Sequence, residues 1–286
     1  MLRPVRTRTQ YPVTLYSRYI INEPNLCHKG KKVSCLVMVH TAPAHSNRRF
    51  EMRRTWLNTS HYVPEHIVVI FLMGTVKNQT IQQALHDESR IHSDIIQGDF
   101  IDSYRNLSNK GVMGYRWISE NCRNAEIVIK TDDDAFINMF KFFEKFSFVK
   151  EEKRSFSCMK SGKNMAPIQR DMNNKWGLDK YMFRGLNWYP FHFCSGIALF
   201  ISPDLFPALL HAAYTTPVFW IDDIYLFGIL PSKLLDVKYI ELQQNFTIDR
   251  QKGLDCFRQK EHNCPYLVVT VKDGFVEELW NIITNG

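Results

Sequence analysis

Three short apolar runs limit what this chain can become: VSCLVMV (33–39), IVVIFL (67–72) and EIVIK (126–130). Between them lie segments with the spacing of helices. Residues 47–57 and 79–91 have helical character, and 104–121 places Leu107, Met113, Trp117 and Ile118 on roughly one helical face. Strands alternating with helices predict an α/β fold on a doubly wound, mainly parallel sheet. A short strand at 94–97, a helix at 139–146 capped by Asn138 and a strand at 193–202 continue the pattern. A turn into a helix at 219–230, a strand at 266–271 and a small helix at 277–283 complete it. Residues 33–286 read as one domain in two halves that meet near residue 150. Residues 1–32, broken by Pro4, Pro12, Pro24 and Gly30, read as an irregular lead-in.

The third run ends in KTDDDAFIN (130–138), which sets Asp132, Asp133 and Asp134 side by side at the end of a buried strand. Adjacent carboxylates repel, so positive charge is needed there. In open α/β sheets ligands sit outside the carboxyl ends of the strands. Hard oxygen ligands at such a place suit Mg²⁺ or Mn²⁺ bridging to substrate phosphates. Alternation along an extended segment aims Asp132 and Asp134 to one side and Asp133 to the other. A solvated acidic turn is the competing reading.

A second acidic feature, Asp222–Asp223, is embedded between PVFWI and IYLFGIL. Carboxylates in apolar surroundings have raised pKa values unless paired, which suits a general base; a helix N-cap explains them equally well. RRFEMRRTW (48–56) carries four arginines that suit phosphate or a solvated helix face. Lys110 is a further phosphate candidate, and the aromatics of WYPFHFCSG (188–196) could stack a sugar or pack a core.

The seven cysteines include no CxxC pair, so zinc spacing is poor. Together with four N-x-S/T sequons (Asn58, Asn78, Asn106, Asn245) they point to a secretory lumen with some disulfides and an odd thiol left over. The longest apolar run, Ile67 to Met73, falls short of the roughly 18–20 residues of a membrane span. The formal charge of +7 is compatible with nucleic acid, a membrane surface or a phosphorylated substrate, or simply with a basic solvated surface.

Taken in order, these segments resemble the β1,3-galactosyltransferase and β1,3-N-acetylglucosaminyltransferase family, glycosyltransferase family 31. RRFEMRRTW is similar to its R-R-x-x-I-R-x-T-W, and DIIQGDFIDSYRNLSNKGVMGYRW (94–117) to its D-I-I-Q-x-D-F-x-D-S-Y-x-N-L-T segment. KTDDDAFIN, KWGLDKY…WYPFHFCSG and DDIYLFG resemble its K-T-D-D-D-x-F-V-N, K-W-x-V-S…Y-P-x-Y-x-S-G and E-D-V-Y-x-G. The resemblance implies a GT-A fold, with a nucleotide-sugar half at about 33–150 and an acceptor half at about 151–286. It implies a UDP-sugar donor, Mn²⁺ or Mg²⁺, and inverting transfer of a hexose, galactose first, to a glycan of protein or lipid in β1,3 linkage. No nucleic acid enters. It further implies a type II Golgi membrane protein with a lumenal catalytic domain, anchored by an N-terminal segment not present in this chain.

Residue by residue, Asp132–Asp134 match the family's DxD element. Asp134 would bind metal, Asp132 the metal, the ribose or a bound water, and Asp133 belongs to the donor site. Asp223 would be the base. Arg53 and Lys110 fall on positions facing the donor, and Trp176 and Tyr189 match aromatics near the sugar sites. Two departures stand out: Phe227 is an extra residue in DDIYLFG, and Lys272 stands where a metal-binding histidine is expected. These motivate the alternative of a non-catalytic, glycan-binding or chaperone-like relative. A phosphohydrolase would want its aspartates after the first strand, where this chain has His40-Thr41-Ala42.

Overall fold

The computed structural model describes residues 18–27, 32–272 and 274–285. Strands β1 (Tyr19–Ile21), β2 (Cys35–His40), β3 (Ile67–Thr75), β4 (Ile95–Ile101), β5 (Val128–Asp132), β7 (Ser155–Ser161), β8 (Phe193–Ile201) and β9 (Lys238–Glu241) form an eight-stranded sheet. Their order is β1-β4-β3-β2-β5-β8-β7-β9. A second sheet orders β10 (Phe246–Thr247), β11 (Val268–Thr270) and β6 (Ala135–Ile137). The helices are α1 (Ser46–Arg54), α2 (Gln79–His92), α3 (Leu107–Asn121), α4 (Met139–Lys145), α5 (Phe206–Thr215), α6 (Asp222–Ile224, continuing as a π-turn to Ile229), α7 (Arg250–Lys260) and α8 (Phe275–Asn285).

The three apolar runs became β2, β3 and β5, pairing in parallel with β2 in the middle. Every residue of β2 is buried, as a strand covered on both faces must be. Cys35, Val37 and Val39 enter one core and Leu36 and Met38 the other, so the pleat splits the hydrophobic interior into two layers. The parallel arrangement covers β4, β3, β2 and β5. Beyond β5 the sheet becomes mixed, because β8 runs antiparallel to both β5 and β7.

Local chemistry sets the helix ends. The side chain of Asn78 accepts from the amides of Thr80 and Ile81 to start α2, and Asn138 accepts from Lys141 to start α4. In α8 the buried residues Val276, Leu279, Trp280 and Ile283 repeat at helical spacing.

Part of the lead-in departs from the irregular reading. Tyr19–Ile21 adds an antiparallel edge strand to β4, and Cys27 is bonded to Cys122 at the end of α3. Residues 1–17 and 28–31 lie outside the described residues. Cys158–Cys194 joins β7 to β8 and Cys256–Cys264 closes the end of α7, which leaves Cys35 as a buried free thiol. Such bonds persist in oxidising compartments.

Candidate active site

The strand order reverses its direction of growth at β2: β3 and β4 lie on one side, β5 and its antiparallel neighbours on the other. A crevice therefore opens outside the carboxyl ends of β2 and β5, where His40 and Asp132 are register partners. The aspartate triplet leaves β5 at this point and turns into β6.

The three carboxylates divide as the alternation predicts. Asp133 turns away from its neighbours and is 8% exposed. Thr41 Oγ1 donates to it at 2.6 Å, His45 Nδ1 lies at 2.7 Å and Arg48 Nη1 donates at 2.9 Å. Burial opposes its ionisation, but these partners hold its carboxyl below the usual carboxylate range. Asp133, expected at the donor site, thus has both oxygens engaged by Thr41, His45 and Arg48 and fastens the segment between β2 and α1. Asp132 and Asp134 are both partly exposed on the other side. The main-chain carbonyl of Asp134 accepts from Val271 at 2.7 Å, and Arg250 Nη2 lies 3.9 Å from its carboxylate. This carries the end of β11, and Lys272 with it, to the triplet.

Lys130 is fully buried in β5. Its ammonium donates to Asp132 Oδ1 at 2.6 Å and to the carbonyl of Gly196 at 2.5 Å. Desolvation works against the charge, yet Asp132, Asp222 and Asp223 together keep its pKa above the ordinary value. Desolvation pushes Asp132 up to about 6 despite Lys130. Asp222 and Asp223 form the first turn of α6 against β8. Burial, then the adjacent Asp222, push Asp223 up to about 7, opposed by Lys130 and by a hydrogen bond from the Gly196 backbone. Gly196 has to be glycine: a Cβ there would overlap Asp223 Oδ1 and lie 3.3 Å from Lys130 Nζ. Neither Lys130 nor Gly196 was singled out from the sequence. The signal was a lysine inside the apolar run EIVIK.

Other expected site residues have structural partners. Arg53 forks onto Asp94 at 2.7 and 2.8 Å and reaches Glu88 at 2.8 Å, its guanidinium over the Phe71 ring. Lys110 is buried, donating to the Thr41 carbonyl at 2.5 Å and pairing with Asp102 at 3.0 Å. Both cations, expected to face the donor, are thus held by carboxylates and a carbonyl of the fold. Tyr189 is a core residue packed against Phe183, Phe191 and Phe193. Trp176 is 48% exposed, and its indole nitrogen donates to Tyr104 Oη at 2.9 Å. His40, at the crevice floor, is buried with neither ring nitrogen hydrogen-bonded, and burial holds it neutral.

Residues 47–243 match the sequence model of a family described as galactosyltransferase. The chain is 32% identical over 225 residues to beta-1,3-galactosyltransferase 1 of Mus musculus, covering 78% of this chain and 66% of that protein. It is 31% identical over 231 residues to beta-1,3-galactosyltransferase 2 of Pongo abelii, covering 79% and 53%. The matched stretch is thus between about half and two thirds of those relatives' length. Among solved structures, galactosyltransferase LgtC in complex with donor and acceptor sugar analogues aligns with 87% of this chain and 95% of that one, at TM-score 0.40 and 8% identity.

Two predictions follow from this geometry. Gly196→Ala displaces the Asp223 carboxylate, so any turnover that depends on it falls by about 10²-fold or more while the protein stays folded; steady-state rates beside a circular dichroism spectrum check both parts. Asp133→Asn strips the anchor from Thr41, His45 and Arg48 and lowers stability by about 1–3 kcal/mol at neutral pH. Because the native carboxyl titrates below its unfolded value, the deficit is complete above the ordinary carboxylate range and vanishes as acid protonates the native group. Thermal unfolding from pH 7 downwards tests it.

Proposed function

The chain belongs to the galactosyltransferase family, and from that premise we propose that it is an inverting hexosyltransferase of GT-A type, moving galactose from UDP-galactose to a glycan hydroxyl in β1,3 linkage. The observation that carries the reading is Asp223, a carboxylate of raised basicity held beside Lys130 and Gly196 at the strand-end crevice. A base of this kind takes a proton from an alcohol nucleophile.

In the displacement, an acceptor oxygen forms a bond to the anomeric carbon as the bond from that carbon to the diphosphate oxygen breaks. The acceptor proton passes to Asp223, and UDP leaves with the bonding electrons. One in-line step inverts the anomeric centre, and no covalent enzyme intermediate is needed. Lys130 opposes the burial that raises Asp132 and Asp223, and Gly196 leaves the space in which the base sits.

Asp132 and Asp134 offer hard oxygen donors for Mn²⁺ or Mg²⁺. Among the described residues no set of three or more His, Cys, Asp or Glu side chains gathers as a metal site. Asp132 and Asp134 would hold such an ion through their carboxylate oxygens. When bound, that ion supplies positive charge to the departing diphosphate. The disulfides and the relatives' identity support a Golgi lumenal setting. Among the described residues no helix is long and apolar enough to cross a membrane.

Asp223→Asn is expected to lower kcat by about 10²–10⁴-fold with the KM for UDP-galactose little changed. In the active protein, kcat/KM should fall as pH drops below about 7, where Asp223 takes up its proton. Equal turnover by the Asn variant would overturn the reading. Titration calorimetry should show Mn²⁺ alone binding no tighter than about 10⁻⁴–10⁻³ M and markedly tighter once UDP is present. Lys272→His, which exchanges a cation for a ligand, should tighten the nucleotide-free binding.

A further inference from the structure

Three segments meet beside the crevice: the turn before α3, the loop that carries Trp176, and the residues entering α6. Tyr104 is 37% exposed, and its ring stands edge-on to Trp220 with centroids 6.2 Å apart. Trp176 is tied to the Tyr104 hydroxyl. Ser108 Oγ donates to the carbonyl of Phe219 at 2.5 Å, which fixes the backbone next to Trp220. Trp220 is followed within three residues by Asp222 and Asp223. The aromatic cluster therefore leads directly along the chain into the acidic turn that opens α6.

Two cations lie on that cluster. The Arg105 guanidinium is 3.6 Å from the centre of the Trp220 ring, and the Lys175 ammonium is 4.2 Å from that of Tyr104 and 5.7 Å from Trp176. Among the described residues neither forms an ion pair with a carboxylate. Stacking on the rings restrains both groups and leaves their remaining N–H bonds available. A guanidinium fork matches carboxylate or sulfate oxygens, and an ammonium adds a point charge. Away from a divalent ion held by Asp132 and Asp134, the carboxylates of Asp222 and Asp223 repel an anion, whereas the aromatic cluster with its cations attracts it. A substrate that satisfies both presents a neutral hydroxyl to Asp223 and a negative group some distance away.

We infer that Tyr104, Trp176 and Trp220 with Arg105 and Lys175 form an acceptor subsite for an acidic glycan, one bearing a carboxylate or sulfate near the accepting sugar. The aromatic faces hold the sugar's apolar faces, and the two cations select the anion. This inference rests on the glycosyltransferase reading for the word acceptor, but the binding itself does not.

The test uses the whole chain with N-acetyllactosamine, its 6-sulfated form, and a glucuronic-acid-terminated disaccharide. Transfer from UDP-galactose is measured together with tryptophan-fluorescence binding in the absence of donor. The wild-type chain should favour at least one acidic acceptor over the neutral one by about tenfold in kcat/KM, a preference that shrinks with added salt. Arg105→Gln with Lys175→Gln should abolish the preference, costing the acidic acceptor about tenfold more in kcat/KM than the neutral one, and Arg105→Lys should restore it in part. The sulfated and uronic arms tell which anion is recognised. Equal use of neutral and acidic acceptors, or an equal loss on both in the double variant, overturns the subsite. If no transfer occurs with any acceptor, but the acidic disaccharides still bind through Arg105 and Lys175, the enzymatic reading fails and the subsite stands. If they also fail to bind, both fall.

Discussion

A single buried ammonium organises the candidate site. Lys130 sits in a strand with no exposure, where a lone charge would cost several kcal/mol of lost hydration. Its compensation comes from three separate parts of the fold: the Asp132 carboxylate on its own strand, the Gly196 carbonyl on β8, and the acidic turn that opens α6. The dependence runs both ways. Asp223 is packed so tightly on Gly196 that no side chain fits there, and its charge beside Asp222 is tolerable because Lys130 is near. The parallel half of the sheet and the antiparallel half are thereby joined at one electrostatic point, and the reactive carboxylate stands at that joint.

The aspartate triplet shows how a strand end and the turn after it separate tasks. Asp133 is the best satisfied of the three, and its partners all belong to the β2–α1 connection. Its charge maintains the crevice wall. Asp132 and Asp134 keep their oxygens at the crevice, one moderated by Lys130 and the other by the more distant Arg250. A shift of one residue in β5 would exchange these roles and place an arginine-bound carboxylate where a ligand is needed. The register of β2 against β5, with both strands buried, prevents that shift.

Much of this was legible in the chain. The buried strands β2, β3 and β5 are apolar enough to be recognised alone. What escaped depended on partners far away in sequence. SFSCMKS and KYIE, which form β7 and β9, are too polar to read as strands; β7 pairs because β8 supplies its neighbour, and β9 because β7 supplies the next. The helix α5 is apolar on most sides and has no clear amphipathic period. Arg53 and Lys110 look like phosphate ligands in one dimension, yet Asp94, Glu88 and Asp102, brought close only by folding, claim them. Gly196 reads as part of a turn, and its need to be glycine becomes visible only when Asp223 arrives from twenty-seven residues later.

The net charge of +7 says little about the site, because its meaning depends on where the cations sit. Charges beyond a Debye length, about 8 Å at physiological salt, hardly influence one another at the surface. The crevice has an acidic floor of Asp132, Asp134, Asp222 and Asp223, with Arg250 beside Asp134 and with Arg105 and Lys175 on the aromatic cluster. An acidic acceptor placed with its charge on the floor meets repulsion, whereas one that keeps its carboxylate or sulfate oxygens towards Arg105 and Lys175 and its neutral sugar over the carboxylates avoids it. Orientation is thus selected by the sign of the field before any specific contact forms. The same seven excess charges, scattered over solvated helix faces, would leave the carboxylates mutually repelling and the ligand free to enter either way round.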